Sequence, residues 1–157
     1  MRRHDREITD INEIIDVIRK CDVCTLALNN DGYPYIIPLN FGFDVNNGQI
    51  TLYFHSASEG TKLELMKKDN RASFEMDCGH KLQYFEEKCY CTMAYESVIG
   101  KGRIRILNDD EKVAALNKLM EQYHPAGDAP YNPAAISRTT VYCLTVEEIT
   151  GKRKTLK

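Results

Sequence analysis

Residues 53–63 read Tyr53-Phe54-His55-Ser56-Ala57-Ser58-Glu59-Gly60-Thr61-Lys62-Leu63. The segment before them, Gln49 to His55, alternates Ile50, Leu52 and Phe54 against Thr51, Tyr53 and His55, the period of a half-buried strand. Thr61 to Lys68 then reads as a short helix. The strand therefore ends in a hydroxyl- and glycine-containing loop that opens a helix. A helix N-terminus presents unpaired N–H groups and a partial positive charge, which suits a phosphate. Ser56, Ser58 and Thr61 add donors, Gly60 permits close backbone approach, and Lys62 adds a full charge. Ser and Gly serve plain capping at many such junctions, so the residues alone leave both readings open.

Upstream, Asp10 and Glu13 predict a capping box for a helix whose apolar face is Ile11, Ile14, Ile15 and Ile18. Val23 to Leu28 reads as a strand, Asn29-Asn30-Asp31-Gly32 as a turn, and Tyr35 to Phe43 as one alternating strand with Tyr35, Ile37, Leu39, Phe41 and Phe43 on a face. Asn46-Asn47-Gly48 makes the next hairpin turn. Downstream, Arg71 to Cys78 is a strand, Gly79 to Thr92 a loop or excursion, and Glu96 to Leu107 a long strand whose Gly100 and Gly102 suggest a bulge. Asn108 and Glu111 cap a helix with Val113, Leu116, Met120 and Tyr123 facing inward, stopped at His124-Pro125. A Pro/Gly-rich connection from Pro125 to Pro133 and a short turn at Ala134 lead to a last strand, Thr140 to Val146. Six or so antiparallel strands with sparse helices make a mainly β fold, a small barrel in a single domain over residues 1–157.

The 157 residues are 43% hydrophobic and 28% charged with a formal net charge of −2. That balance argues against a nucleic-acid binder working by bulk charge. The basic cluster Lys152, Arg153, Lys154 and Lys157 reads as a solvated tail. No segment approaches the roughly 18 apolar residues of a membrane span. The start, MRRHDREITD, is too charged for a signal peptide, so a cytoplasmic location is expected. The six cysteines, Cys21, Cys24, Cys78, Cys89, Cys91 and Cys143, are expected as free thiols in that compartment. Cys21-x-x-Cys24 lies where a helix ends and a strand begins, unlike a thioredoxin-type motif. Cys78, His80, Cys89 and Cys91 form a possible cluster without the spacing of common zinc knuckles, and no metal is assigned to it.

The runs Tyr33-Pro34-Tyr35 and Pro38-Leu39-Asn40-Phe41, then Leu52 to Ala57 and Gly60-Thr61-Lys62-Leu63, resemble the nitroimidazole-resistance family, part of the group related to pyridoxamine 5′-phosphate oxidase. Tyr95-Glu96-Ser97-Val98-Ile99-Gly100-Lys101-Gly102 and Ile149-Thr150-Gly151-Lys152-Arg153 resemble it too. The resemblance spans nearly the whole chain. It implies a split β-barrel, a homodimer, and FMN at the subunit interface. By position it implies the flavin phosphate at Ser56 and Lys62 beside His55, and the ring edge along Pro38, Leu39 and Asn40, with Ser97 contributing from a neighbouring strand. Pro38 removes a ladder donor, so this stretch belongs at an edge or bulge. Asn40 can both donate and accept.

The chain departs from the oxidase proper. It has no tryptophan, and Arg71, Arg103, Arg105 and Arg138 are scattered rather than paired for a pyridoxal phosphate substrate. His4, His80 and His124 read as surface groups, and no catalytic side chain is assigned. The expected activity is electron transfer from a reduced nicotinamide donor through FMN to a small electron-poor acceptor such as a nitroaromatic, with the flavin carrying the chemistry. A flavin carrier or sensor of the same fold is the first alternative, and a thiol or metal protein the second.

Overall fold

The computed structural model describes residues 3–124 and 131–156. Lys157 of the basic tail and residues 125–130 of the Pro/Gly connection lie outside them. The elements are β1 (Glu7–Ile8), α1 (Ile11–Lys20), β2 (Cys24–Leu28), β3 (Tyr35–Leu39), β4 (Gly42–Asn46), β5 (Gln49–Ala57), α2 (Thr61–Lys68), β6 (Arg71–Phe85), β7 (Tyr90–Ile106), α3 (Asp109–Tyr123), α4 (Pro133–Ser137) and β8 (Thr139–Lys154). Eight antiparallel strands make one sheet in the order β3-β2-β6-β7-β8-β5-β4, with β1 paired to β8.

The two outermost strands of that order, β3 and β4, are neighbours in sequence, separated by Asn40 and Phe41. The chain therefore steps from one end of the sheet to the other, and the sheet must curl into a barrel whose seam carries no ladder. This corrects the expectation of a single strand from Tyr35 to Phe43. Three bonds fasten the step. The Phe41 N–H donates to the Tyr123 hydroxyl at 3.0 Å, that hydroxyl donates to the Asp22 carbonyl at 2.7 Å, and Asn40 Nδ2 donates to the same carbonyl at 3.3 Å.

The barrel interior is filled by the inward residues of each strand, among them Leu26, Leu52, Phe54, Phe74, Met76, Val98, Tyr142 and Leu144. Each such side chain contributes about 1.5–3 kcal/mol by leaving water. Cys21 and Cys24 are buried in the same core. A second, smaller core lies outside the barrel, where Val141 and Cys143 meet Leu107, Ala115 and Leu116.

Two boundaries and one buried face differ from the sequence reading. Gly79 to Thr92 is a β-hairpin rather than a loop, because β6 and β7 stay paired out to Phe85 and Tyr90 beyond a register shift at Cys78/Lys81. β8 runs on to Lys154, so Lys152, Arg153 and Lys154 pair with Ser97, Glu96 and Tyr95 instead of forming a loose tail. α3 buries Ala115, Leu116 and Leu119, while Val113 is exposed. The bulge expected near Gly102 is present as a register shift at Lys101/Gly102.

Asp10 caps α1 by accepting from the Asn12 N–H at 2.9 Å. Glu13 does not complete a box but meets Arg153 at 2.5 Å, and Val17 rather than Ile11 completes the buried face. The capping box of α3, Asn108 with Glu111, forms as expected. No helix among the described residues is long and apolar enough to cross a membrane.

Candidate functional site

β5 delivers two adjacent residues to opposite sides. Strand side chains alternate, so Ser56 follows Leu52 and Phe54 into the barrel, and His55 follows Thr51 and Tyr53 to the outside. Ser56 is buried and its hydroxyl donates to the Ala57 carbonyl at 2.9 Å. His55 is exposed at its rim but partly enclosed by its surroundings, opposite Val141 on β8. Burial by its surroundings and, second, the Lys62 ammonium push its imidazole below the ordinary pKa, so it is neutral at pH 7.

Gly60 is the N-cap of α2, and its φ of +132° lies where only glycine sits without strain. Among the described residues no side chain caps this helix, and Leu63 and Glu64 donate to the Gly60 carbonyl at 2.9 and 3.4 Å. The N–H groups at its very start are left without a side-chain acceptor. A Cβ built on Gly60 would meet nothing within 4 Å, so the space in front of the helix is open. Half-buried Lys62 sits on the first turn and acts on His55. This donor set fits a phosphate: open helix N–H groups, one ammonium and a neutral imidazole.

The remaining positions lie elsewhere on the barrel. Among the described residues β3 pairs only with β2, leaving one edge of its backbone free, where Pro38 is tolerated opposite Thr25. Pro38 is exposed, Leu39 half-buried against the core, and Asn40 exposed with its amide on Asp22. Ser97 is half-buried on β7, between Asp77 and Lys152. The pairings Pro38–Thr25, Thr25–Glu75 and Glu75–Ile99 put Pro38 and Ile99 in one row of the outward face, and Ser97, two residues before Ile99, shares that face. Within one protomer, then, His55 and Lys62 come together, Pro38 and Ser97 share a sheet face, and the Ser56 side chain points away from both groups.

Cys78 on β6 is separated from Cys89 and Cys91 at the hairpin tip, and His80 pairs with Asp77 at 2.7 Å. No group of three metal-ligating side chains occurs among the described residues. All six cysteines are free thiols. Burial pushes Cys21, Cys24 and Cys143 upward, away from the reactive thiolate. Sequence reasoning missed the role of Tyr123 at the seam and the pairing of the basic stretch with β7. The polarity of residues 147–154 hid that pairing.

A family model described as pyridoxamine 5′-phosphate oxidase matches residues 10–153. The chain belongs to the pyridoxamine 5′-phosphate oxidase family. Among solved structures, a candidate 5-nitroimidazole antibiotic resistance protein from Bacteroides thetaiotaomicron is 32% identical with a TM-score of 0.81, over 94% of this chain and 86% of that one. The FAD and heme binding protein from Mycobacterium smegmatis superposes with a TM-score of 0.81 at 18% identity, over 96% of this chain and 74% of that one. A flavocytochrome from Azotobacter vinelandii gives 0.80 at 18% identity, over 99% and 72%. No curated protein sequence matches. The split-barrel fold and the nitroimidazole-resistance likeness read from the sequence both hold. In this member of the oxidase family, Arg71, Arg103 and Arg105 are each tied to a carboxylate, Asp69, Glu147 and Glu111, at 2.7, 2.8 and 2.8 Å.

Proposed function

We propose that this protein is an FMN-dependent oxidoreductase, working as a cytoplasmic homodimer, that takes electrons from a reduced nicotinamide donor and passes them to a small electron-poor acceptor such as a nitroaromatic. The observation that carries the reading is the uncapped start of α2 with Lys62 and neutral His55 beside it. There the α2 N–H groups and Lys62 hold the flavin phosphate, and His55 lies next to it. The free edge of β3 at Pro38, Leu39 and Asn40 offers main-chain groups to the polar rim of the ring, and Ser97 adds a hydroxyl. Because Pro38 and Ser97 lie on a sheet face and Lys62 on a helix, a second subunit completes the enclosure. FMN, when bound, supplies the two-electron chemistry; the protein binds, orients and excludes water. No paired arginines match those that grip a pyridoxal phosphate, and Arg71, Arg103 and Arg105 are engaged by carboxylates, which disfavours vitamin B6 oxidation.

The test is an anaerobic titration of the FMN-loaded protein with NADH and NADPH. Bleaching faster than that of free FMN, reversed by a nitroaromatic over repeated cycles, is the expected result. Bleaching no faster than free FMN with either nucleotide excludes the nicotinamide donor. That outcome would favour a flavin carrier of the same fold. Light scattering tests the assembly: a mass of 18.0 kDa, that of one chain, removes the shared site.

A further inference from the structure

At the far end of β8 from the α2 junction, the N-terminal segment, the tip of the β6–β7 hairpin and the last residues of β8 surround a groove of about 580 Å³. That volume is in the range of small-molecule sites. Arg3, Arg6, Lys88, Arg153 and Lys154 line it against one carboxylate, Asp5, in a chain whose net charge is negative. A concavity lined by more cations than carboxylates draws anions toward it.

The cations are not equally engaged. Arg3 is held by Asp5 at 2.5 Å, and Arg153 is bound by Glu13 and Glu96. Arg6 donates to the Tyr95 hydroxyl at 3.5 Å and stands 4.0 Å from Asp5. Lys154 donates to the Thr92 hydroxyl. Among the described residues, neither Lys88 nor Lys154 has a carboxylate partner. A hydrogen bond with Thr92 and then the Lys154 ammonium draw the Tyr90 phenol below its ordinary pKa.

The groove also has an aromatic wall. Phe85 and Tyr90 are paired across the hairpin and stack with centroids 5.9 Å apart at 26°. Tyr90 stays exposed. A flat π surface next to unneutralised ammonium groups suits a ligand with a planar base and a phosphate at its other end.

We propose that this groove binds a nucleotide, its phosphates on Lys88, Lys154 and Arg6 and its base against the Phe85–Tyr90 pair. The groove is separate from the phosphate position at the α2 junction: Ser56 pairs with Thr140 at the start of β8, whereas Lys154 pairs with Tyr95 at its end.

ADP is the probe, measured by calorimetry at low salt on the full chain, with adenosine and inorganic phosphate alongside. ADP should bind at least tenfold more tightly than phosphate or adenosine, and a Lys88→Gln/Lys154→Gln double variant should lose at least tenfold in ADP affinity with FMN affinity unchanged. Tyr90→Ala should weaken ADP but not phosphate. Amide shifts of the unmodified protein give a readout that needs no variant: ADP should move Phe85, Tyr90 and Lys154. No ADP binding at about 1 mM overturns the proposal. So do shifts confined to the start of α2, phosphate binding as tight as ADP, or equal ADP affinity in a folded double variant.

Discussion

Gly42 and Leu119 meet backbone to backbone: a Cβ on Gly42 would lie 2.4 Å from the Leu119 Cα and 2.3 Å from the Lys118 carbonyl oxygen. α3 therefore rests directly on the first residue of β4. The contact sets where the helix sits, and through Tyr123 it sets how the seam is fastened.

Gly42→Ala should destabilise the fold by about 2–3 kcal/mol, the upper part of the overpacking range, because rigid backbone rather than a side-chain tip stands in the way. Urea unfolding measures it. A loss under about 0.5 kcal/mol would mean α3 can slide without cost.

Tyr142 is fully buried, stacks on Phe54 at 5.4 Å, and its hydroxyl has no hydrogen-bond partner among the described residues. Removing an unpaired buried hydroxyl relieves a desolvation cost, so Tyr142→Phe should be neutral or stabilising by about 1 kcal/mol. Thermal melts showing a loss of that size would reveal a partner for the hydroxyl, such as a trapped water.

Lys62→Ala should weaken FMN by roughly tenfold or more, the loss of a charge-assisted contact worth about 1.5–3 kcal/mol. Riboflavin, lacking the phosphate, should bind wild type weakly and be indifferent to the substitution. Equal calorimetric affinities of wild type for the two flavins would remove the phosphate from the α2 junction.

His55 titrates below its unfolded value, first because of burial and then because of Lys62. The unfolded chain therefore takes up this proton more readily. His55's contribution to stability is complete above the unfolded pKa of about 6.5 and falls away as pH drops from there through the folded pKa. Lys62→Ala should raise the His55 pKa without restoring it fully, since burial is the larger cause. FMN binding should raise it as well, through the phosphate charge. Imidazole NMR titrations read both. A His55 pKa unmoved by FMN would separate this side chain from the phosphate.

What was legible in the sequence was local. β5 and α2 follow from the alternation Ile50, Leu52, Phe54 and from the turn residues after it. The break between β3 and β4 was not, because Asn40 and Phe41 preserve the alternation from Tyr35 to Phe43. The break is imposed by distant groups, Asp22 and Tyr123. The hairpin beyond Cys78 was missed for a related reason. Leu82 and Tyr84 face solvent, so no buried face writes a pattern, and backbone pairing alone holds the strands. The α3 face was read only in part: Leu116 is buried as expected, but small Ala115 and Leu119 share its face and Val113 is exposed. At the site, spacing could bring His55 and Lys62 together but could not show that Ser56 turns inward, a matter of where β5 ends.

The step at Asn40 and Phe41 also orders events in time. β2–β3 and β4–β5 can zip as local hairpins, but the ends they carry meet only after β6, β7 and β8 have joined them across long sequence separations. Closing of the seam is thus a late event on the folding path. Interactions formed after the rate-limiting barrier govern escape from the native state rather than arrival at it. Tyr123→Phe should accordingly quicken unfolding in stopped-flow experiments and leave the refolding rate nearly as it was, making this hydroxyl a latch on the protein's lifetime.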